Sequence, residues 1–308
     1  MTTAISFFLS VYRYRVALMP AQKTGGRFRI FLQSAWDVFI NKRKILFYPE
    51  GPRDFHAIYK LLLFLGYHIT SDPRDSYRMA IQWWLAFDGN PYAPQNRLAE
   101  IVGTRRNGCQ VLNLQGNDIS KNNVNATFAE VFGYSLAVDP RSHVGQCVMK
   151  LNWNALHKGK VIDCPAEPVD EDVVYQRLVR NETDDGFVED IRVPVFRDKI
   201  PFVYLKYRAV GDRLVDRLHT NTKAITAETD DVLSEAEQTD ICRFCRKMGL
   251  DYCEVDVLRD RENGRIYIVD ANNTPSGPPS PISDDDGRIA VIRLAKAFQE
   301  TFGGKHAC

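Results

Sequence analysis

GLDYCEVDVLRDRENGRIYIVDANNTP, residues 249–275, decides how this chain is read. CEVDVLRD and GRIYIVDAN have the length and apolar content of two strands, and RENG between them supplies a Gly turn, so the segment predicts a hairpin. Side chains alternate along a strand. Asp256 and Asp270 therefore share one side of the hairpin, and Asn272, two residues beyond Asp270, stays on it. Two carboxylates and an amide oxygen form a hard, oxygen-only donor set. Magnesium takes such a set while keeping waters and sharing phosphate oxygens with a nucleotide, and manganese suits the same donors. Asp and Asn near strand ends also cap hairpins with no ligand at all. The hairpin alone leaves both readings open.

Upstream, SEAEQTDICRFCRKMG predicts a helix from Ser234 to Met248 that stops at Gly249. VVYQRLV, EDIRVPVF and PFVYLKYRAV are strand-like. QCVMKLN and KVIDCP predict a second hairpin with the polar tip NALHKGK, and DISKNNVNATFAEVFG a helix that buries Val124, Phe128, Val131 and Phe132, with Asp118 or Ser120 as its cap. Nearer the start, KILFYP, YHITSDP, MAIQWWLAF and CQVLNL are strands, and DFHAIYKLLLFLG is a helix ended by Gly66. Strand–helix–strand order predicts a small sheet with helices packed on it. No G-x-G-x-x-G follows its first strand, so a dinucleotide is not placed there. Residues 1–44 read as a helix, a loop at KTGGR and a second helix. Downstream, DGRIAVIRLAKAFQETF closes the chain as a helix.

A second signal is a series of isolated lysines. Lys150 lies inside the apolar strand QCVMKLN, where a charge is costly without a partner. Lys121 stands at the start of a helix, whose N-terminus favours anions. Lys158 and Lys160 flank Gly159 at the hairpin tip, a composition that closes over phosphates. Each alone is most simply a surface lysine; their order along the chain carries the information.

In that order, residues 117–275 resemble the ATP-grasp superfamily, and within it the ligases that add glutamate to carboxyl groups of proteins or peptides, of the ribosomal-protein glutamate ligase type. DISK with Lys121 resembles the family's first lysine, and Lys150 followed by LNWNALHKGK its second lysine and phosphate loop, with one Gly where several are usual. VYQRLV sits at the adenine hinge, so Gln176, Arg177 and Leu178 fall there. The resemblance implies that backbone groups of this hinge read the base. Arg177 replaces the usual acid, and Asp190 is the candidate for the ribose. GLDYCEVDVLRD resembles G-x-D-x-x-x-x-D-x-x-R, and IVDANNTP resembles E-V-N-x-x-P with Asp270 in place of Glu.

What the resemblance implies is an α/β chain in which an ATP-grasp fold follows a small Rossmann-like domain. Residues 1–44 form a basic helical extension, 45–115 the pre-ATP-grasp α/β domain, and 116–308 two α+β lobes with ATP between them. Asp256, Asp270 and Asn272 hold magnesium. Lys121, Lys150, Lys158 and Lys160 meet the phosphates. Arg192, Arg208, Arg213 and Arg217 are candidates to steady the transferring phosphoryl group or a substrate carboxylate, because arginine binds both bidentately. The implied reaction joins a carboxylate to an amine through an acyl phosphate and releases ADP and phosphate. Phosphorylation of a hydroxyl, or nucleotide binding without turnover, are the alternatives. The basic run from Lys206 to Lys223 suits an anionic small molecule or peptide as acceptor.

Composition narrows the classes. The 308 residues carry 40 basic and 39 acidic side chains, a net +1 that provides no global field for nucleic acid. From Met1 to Lys44 the balance is uneven: Arg13, Arg15, Lys23, Arg27, Arg29, Lys42, Arg43 and Lys44 stand against Asp37 alone. Such a run could meet an acidic partner or a phosphate-rich surface; its simplest reading is a solvated face. SFFLSVYRYRVALM is too short to span a bilayer and is interrupted by Arg13 and Arg15. Seven cysteines fit free thiols in a reducing cytoplasm, and the Cys242/Cys245 pair has no second pair at zinc spacing. No hydrolase, zincin or P-loop motif occurs. His143, His157 and His219 read as solvated or loop residues. A homo-oligomer is left open.

Overall fold

The computed structural model describes residues 2–19, 24–85, 98–105, 110–152, 159–168, 172–214 and 221–304. It opens with α1 (Thr2–Leu18) and α2 (Thr24–Ala35), the latter continued by a π turn, Trp36–Asn41. The glycines of KTGGR were expected in a loop. Gly25 and Gly26 instead begin α2, where the first N–H groups need no helical acceptor and glycine costs little. Asp37, buried at 3% exposure, is clasped by Arg15 at 2.8 Å and Arg43 at 3.2 Å. These contacts tie both helices to the strand that begins at Lys44.

Next come β1 (Lys44–Pro49), α3 (Ala57–Leu65), β2 (His68–Thr70), β3 (Met79–Trp83), α4 (Leu98–Arg105) and β4 (Gln110–Leu112). The four strands form a parallel sheet in the order β2-β1-β3-β4. Both faces are covered, as parallel sheets require. Leu46 and Ala80 pack towards Leu98 and Val102 of α4. Ile45, Phe47 and Ile81 face α3 and the C-terminal helix. No helix was expected at α4, whose eight residues are too few to show a periodic stripe.

The remainder contains α5 (Lys121–Phe132), β5 (Gly145–Leu151), β6 (Gly159–Cys164), β7 (Val173–Arg177), β8 (Phe187–Phe196), β9 (Val203–Ala209), β10 (Lys223–Ala227), α6 (Thr229–Val232), α7 (Glu235–Lys247), β11 (Tyr252–Arg259), β12 (Ile266–Asn272) and α8 (Asp284–Phe302). Strands β6-β5-β7 make a small antiparallel sheet, and β10-β9-β8-β11-β12 a larger one. Local chemistry sets the helix ends. Ser120 caps α5 by accepting from the Asn123 N–H, and Ser234 with Glu237 forms a capping box on α7. The β10 strand and α6 were not expected.

Alternation divides the larger sheet into two unlike faces. Ile191, Val193, Val255 and Ala271 point to one side, where they pack with Val124 and Phe128 of α5 and Ile241 and Phe244 of α7. Cys242 and Cys245 lie in this core too, and burial pushes the Cys242 thiol up to about 12, which fits packing rather than chemistry. The opposite face carries Asp190, Arg192, Lys206, Arg208, Glu254, Asp256, Asp270 and Asn272. One cluster containing Phe196, Phe202, Tyr252, α3 and α8 joins the end of this sheet to the parallel one. Among the described residues no helix is long and apolar enough to cross a membrane.

Candidate functional site

Asp256 and Asp270 sit directly opposite each other on β11 and β12. Like charges so placed repel. A register irregularity follows Asp256, where Val257 pairs with Ile268 and Val269 is left over. Such a bulge re-aims neighbouring side chains, and Asp270 is the next residue. Asn272 completes the group: its Nδ2 donates to Asp256 Oδ2 at 3.3 Å. Turned over, the same amide presents oxygen.

Cations reach this pair from several elements. Lys206 on β9 donates to Asp256 Oδ1 at 2.8 Å. Lys121, at the start of α5, comes within 3.6 Å of Asp270 Oδ1. That oxygen is buried and has no hydrogen bond. Lys150 extends from β5 of the small sheet towards the same spot. Burial first and Lys121 second pull its pKa down to about 8, with Asp270 and Asp256 only partly offsetting them. Asn152 anchors the approach: its carbonyl accepts from the Lys121 N–H at 3.4 Å and its side chain from the Asn122 N–H at 3.0 Å. The strand bearing one lysine is thereby tied to the helix bearing the other.

On the central strand, Arg192 pairs with Asp256 in register and donates from Nε to Glu254 Oε2 at 2.5 Å. Burial raises the pKa of Glu254 against the pull of Arg192, so the pair holds two charges in a dry place. Burial also works against the charge on Asp256, but Lys206 and Arg192 outweigh it and keep that carboxyl well below the usual range. Arg208 is paired with Asp190, which also accepts from Asn181 Nδ2 at 3.2 Å. Arg213 is engaged by Asn181 at 3.0 Å and Glu182 at 2.6 Å.

The sequence-derived residues therefore separate into groups. Lys121, Lys150, Arg192, Asp256, Asp270 and Asn272 are brought together, and Arg208 and Asp190 border them as a pair. Arg213 reaches that border only through Asn181. Lys160 is not brought in. It pairs with Met149, so the strand's alternation sends it to the face opposite Lys150, where it is exposed. Arg177 is likewise exposed on that opposite face, and its N–H donates to the Leu136 carbonyl at 2.8 Å. Gln176 is buried on the inner face and bonds Asn125 of α5 at 2.8 Å; Leu178 follows it, half-buried. His143 is half-buried and bonds the Gln146 carbonyl. Lys158, Arg217, His157 and His219 lie outside the described residues. Glu254 is a residue of this cleft that sequence reasoning did not place there, and Lys206 entered it only as part of the basic run towards an acceptor, not as a partner of Asp256. Their signal was a charge inside an apolar strand, the same signal that had marked Lys150.

A divalent cation fits this donor set. The repelling carboxylates, the unpartnered Asp270 oxygen and the adjacent amide supply oxygens on one face, within reach of lysines suited to phosphate. Among the described residues no group of three or more His, Cys, Asp or Glu side chains is placed to hold a metal ion, so a cation here would rest on the two carboxylates, the amide and oxygens of its ligand.

No family model matches the chain, and no curated protein matches it. Solved structures do. D-alanine–D-alanine ligase from Bacillus anthracis, complexed with ATP, aligns with a TM-score of 0.50 at 14% identity, over 84% of this chain and 95% of the ligase. The D-cycloserine synthetase DcsG gives 0.49 at 12% identity, over 83% and 98%. The ATP-grasp ligase PsnB, complexed with a minimal precursor, gives 0.48 at 14%, over 84% and 98%. With its parallel sheet followed by a small and a large antiparallel sheet, this chain has the ATP-grasp fold.

Proposed function

We propose that this chain is an ATP- and magnesium-dependent ligase that joins a carboxylate to an amine, releasing ADP and phosphate. One observation carries the reading. Lys121 and Lys150, from two different sheets' surroundings, converge on a carboxylate whose buried oxygen lacks a hydrogen bond. The buried ammonium of Lys150, with Lys121 as a second cation nearby, is unfavourable until a polyanion arrives. Triphosphate is such a polyanion, and the D-alanine–D-alanine ligase that shares the fold is complexed with ATP.

Asp256, Asp270 and Asn272 would hold the metal, and Lys121 and Lys150 the phosphates. Magnesium in that position neutralises phosphate charge. Lys206 and Arg192, each with donors left after their present bonds, would face the transferring phosphoryl group. A carboxylate oxygen of the acceptor attacks the γ-phosphorus and ADP leaves. The amine then adds to the acyl carbon and phosphate departs. The protein's contribution is alignment and fixed charge. Arg208 and Arg213 are spoken for by Asp190 and Glu182, so they act as steadying groups around an anionic acceptor rather than as free cations. Lys158 and Arg217 keep the roles their positions imply, on the phosphates and the acceptor.

The test is release of ADP and phosphate from the purified protein, with candidate carboxylic acids and hydroxylamine as the amine. Formation of a hydroxamate supports the ligase. A phosphorylated alcohol in place of the hydroxamate makes the protein a kinase, and ATP binding with no turnover under any acceptor makes it a nucleotide sensor.

A further inference from the structure

Among the described residues, eight of the thirteen large apolar side chains left in solvent lie between Ile5 and Ile40. Four make a stripe. Phe28, Leu32, Trp36 and Ile40, spaced by four, are 65%, 51%, 57% and 62% exposed. The wider winding of the π turn keeps Ile40 in line with Trp36. Beside the stripe, Phe31 meets Phe8 edge-on at 5.2 Å and Tyr12 at 5.7 Å, Phe39 lies 5.5 Å from Phe8, and α1 leaves Ile5 and Leu9 exposed. Two helices thus present one broad apolar face. Contiguous exposed apolar surface of this kind marks an interaction site.

Charge says what covers it. Arg27 and Arg29, both exposed, flank Phe28, and exposed Lys42 follows Ile40. The only acid of the segment, Asp37, is buried and neutralised by Arg15 and Arg43. A second copy docking by the same face would set these cations against their own counterparts, with no exposed acid in the segment to answer them. An anionic bilayer answers both features. Its headgroups take the basic residues and its interfacial zone takes Trp and Phe, the side chains enriched there. No described helix is able to cross the bilayer, so the contact is peripheral.

We propose that α1, α2 and the π turn seat the protein on an anionic lipid surface, with Phe28, Leu32, Trp36 and Ile40 entering the headgroup–acyl boundary and Arg27, Arg29 and Lys42 pairing with lipid phosphates. This does not depend on the ligase reading; ATP binding, measured beside it, reports on that separately.

The experiment is flotation of the intact protein with vesicles of phosphatidylcholine containing about one-third phosphatidylglycerol, and with phosphatidylcholine alone. Sedimentation velocity without lipid is run in parallel. The expected result is capture by the anionic vesicles only, weakening as salt rises. Trp36→Ser with Ile40→Ser, and separately Arg27→Glu with Arg29→Glu, should each lower partitioning by at least about ten-fold. All four sites are exposed, so circular dichroism and nucleotide binding should be unchanged. No capture by either vesicle, or capture indifferent to both double variants, overturns the proposal. A dimer that Trp36→Ser with Ile40→Ser dissociates, without vesicle capture, assigns the face to a second copy instead.

Discussion

Lys150→Met separates what the cleft needs for binding from what it needs for stability. The substitution keeps an unbranched stem and removes the charge. In the folded chain that charge is opposed first by burial and then by Lys121, which bring the pKa from 10.5 to about 8. At 1.36 kcal/mol per unit this is about 3 kcal/mol of stability withheld at neutral pH. The sign comes from proton counts. Between about pH 8 and 10.5 the unfolded chain binds the proton and the folded chain does not, so stability rises with pH across that window. Below it the penalty is present in full. Lys150→Met should therefore stabilise the ligand-free protein at pH 7, by up to about 3 kcal/mol, with the gain shrinking to nothing near pH 10.5. Nucleotide affinity should move the other way and fall ten- to a hundred-fold, roughly the worth of one charge-assisted phosphate contact. Phosphates beside Lys150 must also raise its pKa. Binding near pH 8 should then take up protons, and affinity should decline as pH rises past that value. Urea melts at pH 7 and pH 10, and calorimetry of magnesium-ATP in buffers of different ionisation enthalpy, measure all of this. A variant that is less stable at pH 7, or binds ATP as well as its parent, would show that Lys150 is a packing residue and that the phosphate pocket lies elsewhere.

Asp256→Asn and Asp270→Asn should each weaken Mn2+ binding, read by water-proton relaxation, and lower metal-dependent ATP cleavage by about a hundred-fold or more while melting stays cooperative; retained Mn2+ affinity in both variants would remove these carboxylates from the site. Glu254→Ala leaves Arg192 buried without its partner and should cost about 3–5 kcal/mol, with Glu254→Gln milder because one hydrogen bond survives; an unchanged melting temperature for the Ala variant contradicts the pair. Gly249 has φ +75°, and a Cβ there would lie 2.4 Å from the Gln115 carbonyl carbon, so Gly249→Ala should lose more than about 2 kcal/mol in denaturant melts. A loss under half of that would mean that the α7–β11 turn is free to shift.

The hairpin at 249–275, the helix on DISK and the strands around Lys150 were legible because each carries its own period, cap or turn. What was not legible depends on neighbours. Alternation says that Lys206 and Arg208 share a face of β9, but only pairing with β8 sets that face beside Asp190, and only the next strand over brings Lys206 to Asp256. Lys160 failed for the same reason in reverse. Ten residues from Lys150 along the chain, it looks like a second phosphate lysine, yet the register pairs Lys150 with Gly159 and turns Lys160 outward. The short elements α4 and β10 have too few residues for a period to emerge.

The same neighbour-dependence explains why charge collects on one face of the larger sheet. Five cations, Lys121, Lys150, Arg192, Lys206 and Arg208, meet four carboxylates, Asp190, Glu254, Asp256 and Asp270. An apolar face at those positions would stabilise the fold more, because buried ion pairs rarely exceed hydrophobic packing in worth. Folding alone therefore gives no reason for the arrangement. Its pairs are uneven: Lys206, Arg192 and Arg208 each have a close carboxylate, whereas Lys150 is driven towards its neutral form and an Asp270 oxygen near it accepts no hydrogen bond. The mismatch is localised where the small sheet, α5 and the hairpin come together, and it has the sign that a metal–triphosphate complex corrects. A cleft built this way is least stable when empty, so substitutions that neutralise Lys150 should raise the melting temperature of the free protein and abolish the further rise on adding magnesium-ATP. If instead they lower it, the charged face is structural and the nucleotide reading loses its physical basis.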